Sequence, residues 1–129
     1  MSTAMSERLL RFVRTHLPSV WALELLLVLI QQADRDWTVD ELVRQMRANA
    51  PLVSALLEQF KRDGLVTAGG AGTWRWGPAA SELHQVSLEI ADTYARTPFA
   101  LIQAIAEGPS RSVMDFAEAF RLRDRDKKP

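Results

Sequence analysis

The sequence predicts a mostly α-helical chain with one small antiparallel β-hairpin, and three observations within residues 37–77 carry that prediction. First, Thr38-Val39-Asp40-Glu41 is a Thr-x-x-Glu capping box: the Thr38 side chain can accept from the Glu41 amide while the Glu41 side chain reaches back to the Thr38 amide. Trp37 before it and Leu42 at the fourth helical position have the spacing of a hydrophobic staple. Second, a following apolar-periodic run stops at Gly64, a residue free to take the left-handed conformation of a helix terminus. Third, two short β-prone runs flank Gly69-Gly70-Ala71-Gly72, a loop of hairpin length.

Taken in order, residues 6–17 form an amphipathic helix with Leu9, Leu10, Val13 and Leu17 on one face and Arg8, Arg11 and Arg14 elsewhere. His16 near its end is expected as a surface or cap-interacting histidine. Pro18-Ser19 breaks the helix, and Val20 to Ala33 follows. That segment is apolar nearly all round, so it should be the central helix, packed on several sides. Glu24 is its exception and should point outward, because a buried carboxylate needs a partner. Asp34-Arg35-Asp36 leads into the capping box.

Val39 to Arg47 forms the first helix of a pair, with Val39, Leu42, Val43 and Met46 inward. Asn49 caps the second, and Pro51 is tolerated in its first turn because the amide it lacks would have no partner there. Leu52, Val53, Leu56, Leu57 and Phe60 point inward, and Leu65 should touch Phe60 across Gly64 in a Schellman motif. The strands are Leu65–Ala68 and Thr73–Trp76, the glycines supplying positive φ at the tip. Trp74 and Trp76 lie two apart on one side and should cover the core, with Arg75 opposite.

After Gly77-Pro78, Ser81 should cap a helix over Glu82–Arg96. Its seam of Leu83, Val86, Ile90 and Tyr94 suits one partner helix or a dimer mate. Thr97-Pro98 starts another helix with Phe99, Ile102 and Ile105 as its face, ending at Gly108-Pro109. Ser112 with Asp115 opens a last helix bearing Val113, Phe116, Ala117 and Phe120. The expected organisation is a single domain over 1–129: core 20–77, C-terminal helices 81–123, and a charged tail at 124–129. The seam residues, with Phe116 and Phe120, are the expected homodimer interface.

Two helices on a tight turn, the Asp63-Gly64-Leu65-Val66 junction and a glycine-tipped hairpin resemble the winged helix-turn-helix family. The resemblance covers about forty residues and the helix before them. The stretches SVWALELLL and FAEAFRLRD are similar to small bacterial winged-helix proteins regarded as transcriptional regulators. The resemblance implies double-stranded DNA as partner, with the second helix of the pair entering the major groove. On that helix Asn49 and Ser54 would meet base edges or phosphates, while Arg47, Lys61, Arg62 and Arg75, and also Arg44, would hold phosphates. Ala50 and Ala55 could only touch a thymine methyl, and Glu58 is repelled by phosphate. This is a sparse reading surface, so a protein-interaction module without DNA binding is the alternative. A regulator sensing a small molecule at a dimer seam has the same sequence signature.

Composition narrows the remaining classes. A chain of 129 residues with 47% apolar content can bury a core. Sixteen basic and sixteen acidic residues leave no surplus for strong sequence-independent nucleic-acid binding. From Asn49 to Pro78 the basic surplus is only one. With no cysteine there is no disulfide or thiolate chemistry, in keeping with a cytoplasmic location. The run from Val20 to Ile30 is too short to span a bilayer, and the N-terminus lacks the pattern of a signal peptide. His16 and His84 stand alone, without an HExxH pattern, and the glycine loop is followed by neither Lys-Ser/Thr nor a helix. No catalytic residue, metal site or cofactor is therefore expected, and the chain is not expected to be an enzyme.

Overall fold

In the computed structural model, residues 5–107 are described. The expected helix from Ser112, with Phe116 and Phe120, and the charged tail lie outside them. Helix α1 (Glu7–His16) starts at Ser6, whose hydroxyl accepts from the Leu9 amide. It buries Leu9, Phe12 and Val13, and Leu17 just beyond it; Leu10 is only half-buried, so the core-facing stripe is rotated toward Phe12. Ser19 caps α2 (Val20–Gln31) by accepting from Ala22. The chain reverses sharply between α1 and α2, which meet at 109°. Helix α2 is the central element. Leu23, Leu25, Leu26 and Leu29 are all fully buried, each contributing about 1.5–3 kcal/mol by leaving water. Glu24 is only half-buried at its edge. Among the described residues, no single helix is long and apolar enough to cross a membrane.

The capping box at Thr38 is complete, with both reciprocal hydrogen bonds at 3.0–3.1 Å. It opens α3 (Val39–Met46). Helix α4 (Ala50–Arg62) is capped by Asn49, whose Oδ1 accepts from Leu52 at 2.9 Å. Gly64 then adopts φ +80°. The Leu65 amide donates to the Phe60 carbonyl and the Gly64 amide to that of Lys61, which are the two bonds of a Schellman closure. Phe60 and Leu65 are both fully buried.

The sheet has three strands, where sequence predicts a two-stranded hairpin. β2 (Val66–Ala68) and β3 (Thr73–Trp76) form the hairpin, and β1 (Trp37–Thr38) adds itself antiparallel to the other edge of β3, in the order β1-β3-β2. Trp37 pairs with Trp74, and Val66 with Trp76. Two residues are too few for a period-2 pattern, so β1 is invisible locally; the staple tryptophan is also a sheet residue. At the tip, positive φ falls on Ala71 and Gly72, while Gly69 is extended at −95°. Trp76 is buried as expected, and Trp74 is half-buried against the same core.

Helix α5 (Ser81–Arg96) departs from expectation at its start. Ser81 is its first residue, and Ala80 occupies the cap position without a side-chain bond. Its seam faces inward: Val86 and Ile90 are buried, with Leu83 and Tyr94 packed against the same core. Val86 and Ile90, expected in a dimer interface, are thus buried in the chain's own core. In α6 (Pro98–Glu107) the buried residues are Leu101 and Ile105; Phe99, expected on that face, is 76% exposed. The bend at Thr97 turns the helix so that the i, i+4 pair enters the core and the first-turn Phe is left exposed.

Two outcomes follow for stability. Thr38→Ala should cost about 1 kcal/mol through the lost cap. Gly64→Ala should cost more, because it strains φ +80° and brings a Cβ 3.4 Å from that of Ala79; urea denaturation measures both. The amide of Thr38, bonding to the Glu41 carboxylate, holds its pKa below the ordinary range, assisted by Arg35. A depressed folded-state pKa gives stability present above the unfolded pKa and lost as pH falls through the folded value. Glu41→Gln should therefore flatten that acid-side loss in a pH series of urea midpoints.

Candidate nucleic-acid interface

The α3–α4 turn positions the residues singled out from sequence. Arg47 closes α3 in the left-handed region (φ 58°, ψ 44°), donating to Val43, while Ala48 donates to the same carbonyl. A non-glycine residue is disfavoured there by its Cβ. Arg47 is exposed, as are Arg44 one turn earlier and Asn49 two residues on. The turn thus places Arg47 and Asn49 at the entrance of α4, with Arg44 one helical turn before Arg47. Asn49 Oδ1 is engaged in the cap, leaving its amide nitrogen for another partner. Along α4 the exposed positions are Ala50, Pro51, Ala55 and Glu58, with Ser54 half-buried.

Lys61 and Arg62 are exposed in the last turn of α4, about 16 Å along the axis from its first residue. They are not part of the Arg44–Arg47–Asn49 group, and their position favourably complements the negative end of the helix dipole. The structure also gives Arg75 a partner that sequence does not reveal. Its Nε donates to Asp36 Oδ1 at 2.8 Å, tying β3 to the loop before β1. The hairpin tip from Thr67 to Gly72 is exposed and uncharged. Beside Arg44, a polar cleft of about 280 Å³ is lined by Arg35, Trp37, Glu41 and Gln45. There the Arg35 guanidinium lies 3.6 Å from the Trp37 ring centroid and 3.4 Å from Glu41 Oε1.

The far end of α4 is anchored to α1. Gln59 Nε2 donates to the His16 carbonyl at 3.0 Å and to Asp63 Oδ2 at 3.3 Å. His16 Nδ1 sits 2.9 Å from Asp63 Oδ2, at ion-pair distance but without hydrogen-bond alignment. His84 accepts from Trp76 Nε1 at 3.2 Å, fastening β3 to α5. Both histidines thus hold elements together, across 43 or more residues for His16 and Gln59 and only eight for Trp76 and His84. Over residues 5–107 there are ten basic and twelve acidic side chains, a slight acidic surplus. Among these residues no cluster of three or more His, Asp or Glu could hold a metal ion.

The left-handed Arg47 yields a direct expectation. Arg47→Gly should raise stability by about 1 kcal/mol, seen as a higher urea midpoint, because glycine carries no Cβ penalty there. An unchanged or lowered midpoint would mean that the arginine side chain itself stabilises the turn. Comparison of the chain with known protein families, curated proteins and solved structures finds no match.

Proposed function

We propose that this is a winged helix-turn-helix DNA-binding protein, acting in the cytoplasm as a homodimeric transcriptional regulator. The observation that carries the reading is the entrance of α4. Its first turn is exposed, and the α3–α4 turn sets Arg47 and Asn49 beside it, with that arginine held in a disfavoured backbone conformation. Strain of that kind at an exposed cation is a functional signal, since glycine would be the relaxed choice. The first turn of α4 would lie in the major groove with Asn49 and Ser54 near base edges. Arg44 and Arg47 would hold the flanking phosphates, and Lys61 and Arg62 would reach phosphates only at the far end.

Over residues 5–107 acidic side chains outnumber basic ones by two, so one copy neutralises few phosphates. Two copies reading two half-sites compensate for that, and light scattering at tens of micromolar tests the dimer. Val86 and Ile90 are buried within the chain, so of the seam only the half-buried Leu83 and Tyr94 are left to a second copy among the described residues.

Anisotropy titrations against target and random duplexes at about 150 mM salt test the reading. Arg47→Ala should weaken binding to every sequence about equally and reduce the salt slope by roughly one unit. Arg75→Ala should do less, because Arg75 is already held by Asp36. Ser54→Ala should narrow the gap between target and random DNA. A second reading rests on the uncharged hairpin tip and the Ala50, Ala55 and Glu58 face: the same surface contacts a protein. Absence of binding to any duplex at low salt would reject the DNA reading in its favour.

A further inference from the structure

A cavity of about 190 Å³ lies between α1 and the start of α5. Phe12, Leu83 and Val86 make an apolar floor, and the exposed side chains of Arg11 on α1 and Glu82 on α5 stand over it. These two opposite charges line one small space, yet no ion pair joins them, and neither has a charged partner among the described residues. Arg8, also at the rim, is already matched by Glu89, which accepts from Ser6 as well and clamps the other end of α1 to α5. The cavity is smaller than the roughly 300–1,000 Å³ typical of sites for drug-sized ligands.

We propose that this cavity binds a small zwitterion with an apolar side chain, of the α-amino acid type. Arg11 takes the carboxylate, Glu82 the ammonium group, and the floor takes the side chain. A simple carboxylate or a simple amine would leave one of the two charges facing the cavity unmatched. The zwitterion satisfies both, and charge-assisted hydrogen bonds are the stronger kind.

The site adjoins the anchor of α4. His16 lines the cavity; its carbonyl accepts from Gln59 and its ring lies beside Asp63 at the end of α4. Leu83, on the opposite wall, is 3.9 Å from where a Cβ on Gly64 would stand. A ligand that spreads or draws together α1 and α5 therefore acts on the C-terminal end of α4 from both sides. Binding itself does not depend on the DNA reading and is tested without DNA.

The test is an amide-resolved NMR titration of the full chain with L-leucine, beside isoamylamine, which lacks the carboxylate, and 4-methylvalerate, which lacks the amine. Leucine should give saturable shifts at cavity residues and at the Gln59 side-chain amide. Each analogue should bind at least about fivefold more weakly, and Arg11→Gln and Glu82→Gln should each weaken leucine about fivefold. Both variants change exposed side chains, so their spectra should remain folded. Several results would overturn the site: no saturation by about 20 mM leucine, an analogue equal to leucine, or unchanged affinity in either variant. Loss with Arg11→Gln alone would mark a plain carboxylate site and reject the zwitterion.

Discussion

The positive φ of Gly64 is the constraint on which the rest of the structure depends. It lets α4 end in two closing hydrogen bonds and turns the chain at once into β2. The Gly64 carbonyl then accepts from Ala79, and the Leu65 carbonyl from Gly77, so the return from β3 and the approach to α5 are attached to the same two residues. Four elements converge on this junction. A side chain there would strain the backbone and also press on Ala79, where α5 approaches. The fully buried Phe60 and Leu65 on either side convert the local turn into a core contact.

Around that junction, α1 and α5 serve as two braces for α4. His16, Gln59 and Asp63 connect it to α1; Ala79 and Leu83 bring α5 against Gly64. Trp76 and His84 fasten the sheet to the same α5. These polar links sit at the margin of an apolar core, partly screened from water, where a hydrogen bond is worth more than at an open surface. Among the described residues no side-chain hydrogen bond from another element reaches the entrance of α4. That entrance is held by the Asn49 cap and by the turn through Arg47. The helix is thus anchored at its far end and exposed at the end beside Arg47 and Asn49.

The surface charges divide into two kinds. Arg8, Arg35, Arg75 and Arg96 are matched by Glu89, Glu41, Asp36 and Asp92 within the chain. Such exposed pairs contribute little stability, about 0–1 kcal/mol each, but they lower the number of cations open to an external anion. Arg75 shows the effect most clearly. From sequence it is the cation of the hairpin; in the fold it is occupied by Asp36, 39 residues earlier. Among the described residues Arg11, Arg14, Arg44, Arg47, Lys61 and Arg62 have no carboxylate partner, and any anion-binding role of this surface rests on where they stand.

The sequence by itself determined α1 to α4 within a residue or two and the hairpin, because these depend on signals within a few residues of one another. The Thr38–Glu41 box, the Asn49 cap, the Gly64 stop and the glycine-rich loop are all of that kind. It also showed that α2 is central, since a helix apolar on every side has no face to give to water. Only the tertiary structure decided what depends on distant partners. The two-residue β1 exists because β3 offers it an edge. Phe99 is exposed and Leu101 buried because the bend at Thr97 sets the rotation of α6, which periodicity over ten residues leaves open. Val86 and Ile90 form an intramolecular seam because α1, α2 and α6 lie within reach, whereas the same pattern would suit a second copy. The Arg75–Asp36 and His16–Asp63 pairings join residues 39 and 47 positions apart, and no local pattern records which of several carboxylates a distant side chain will meet.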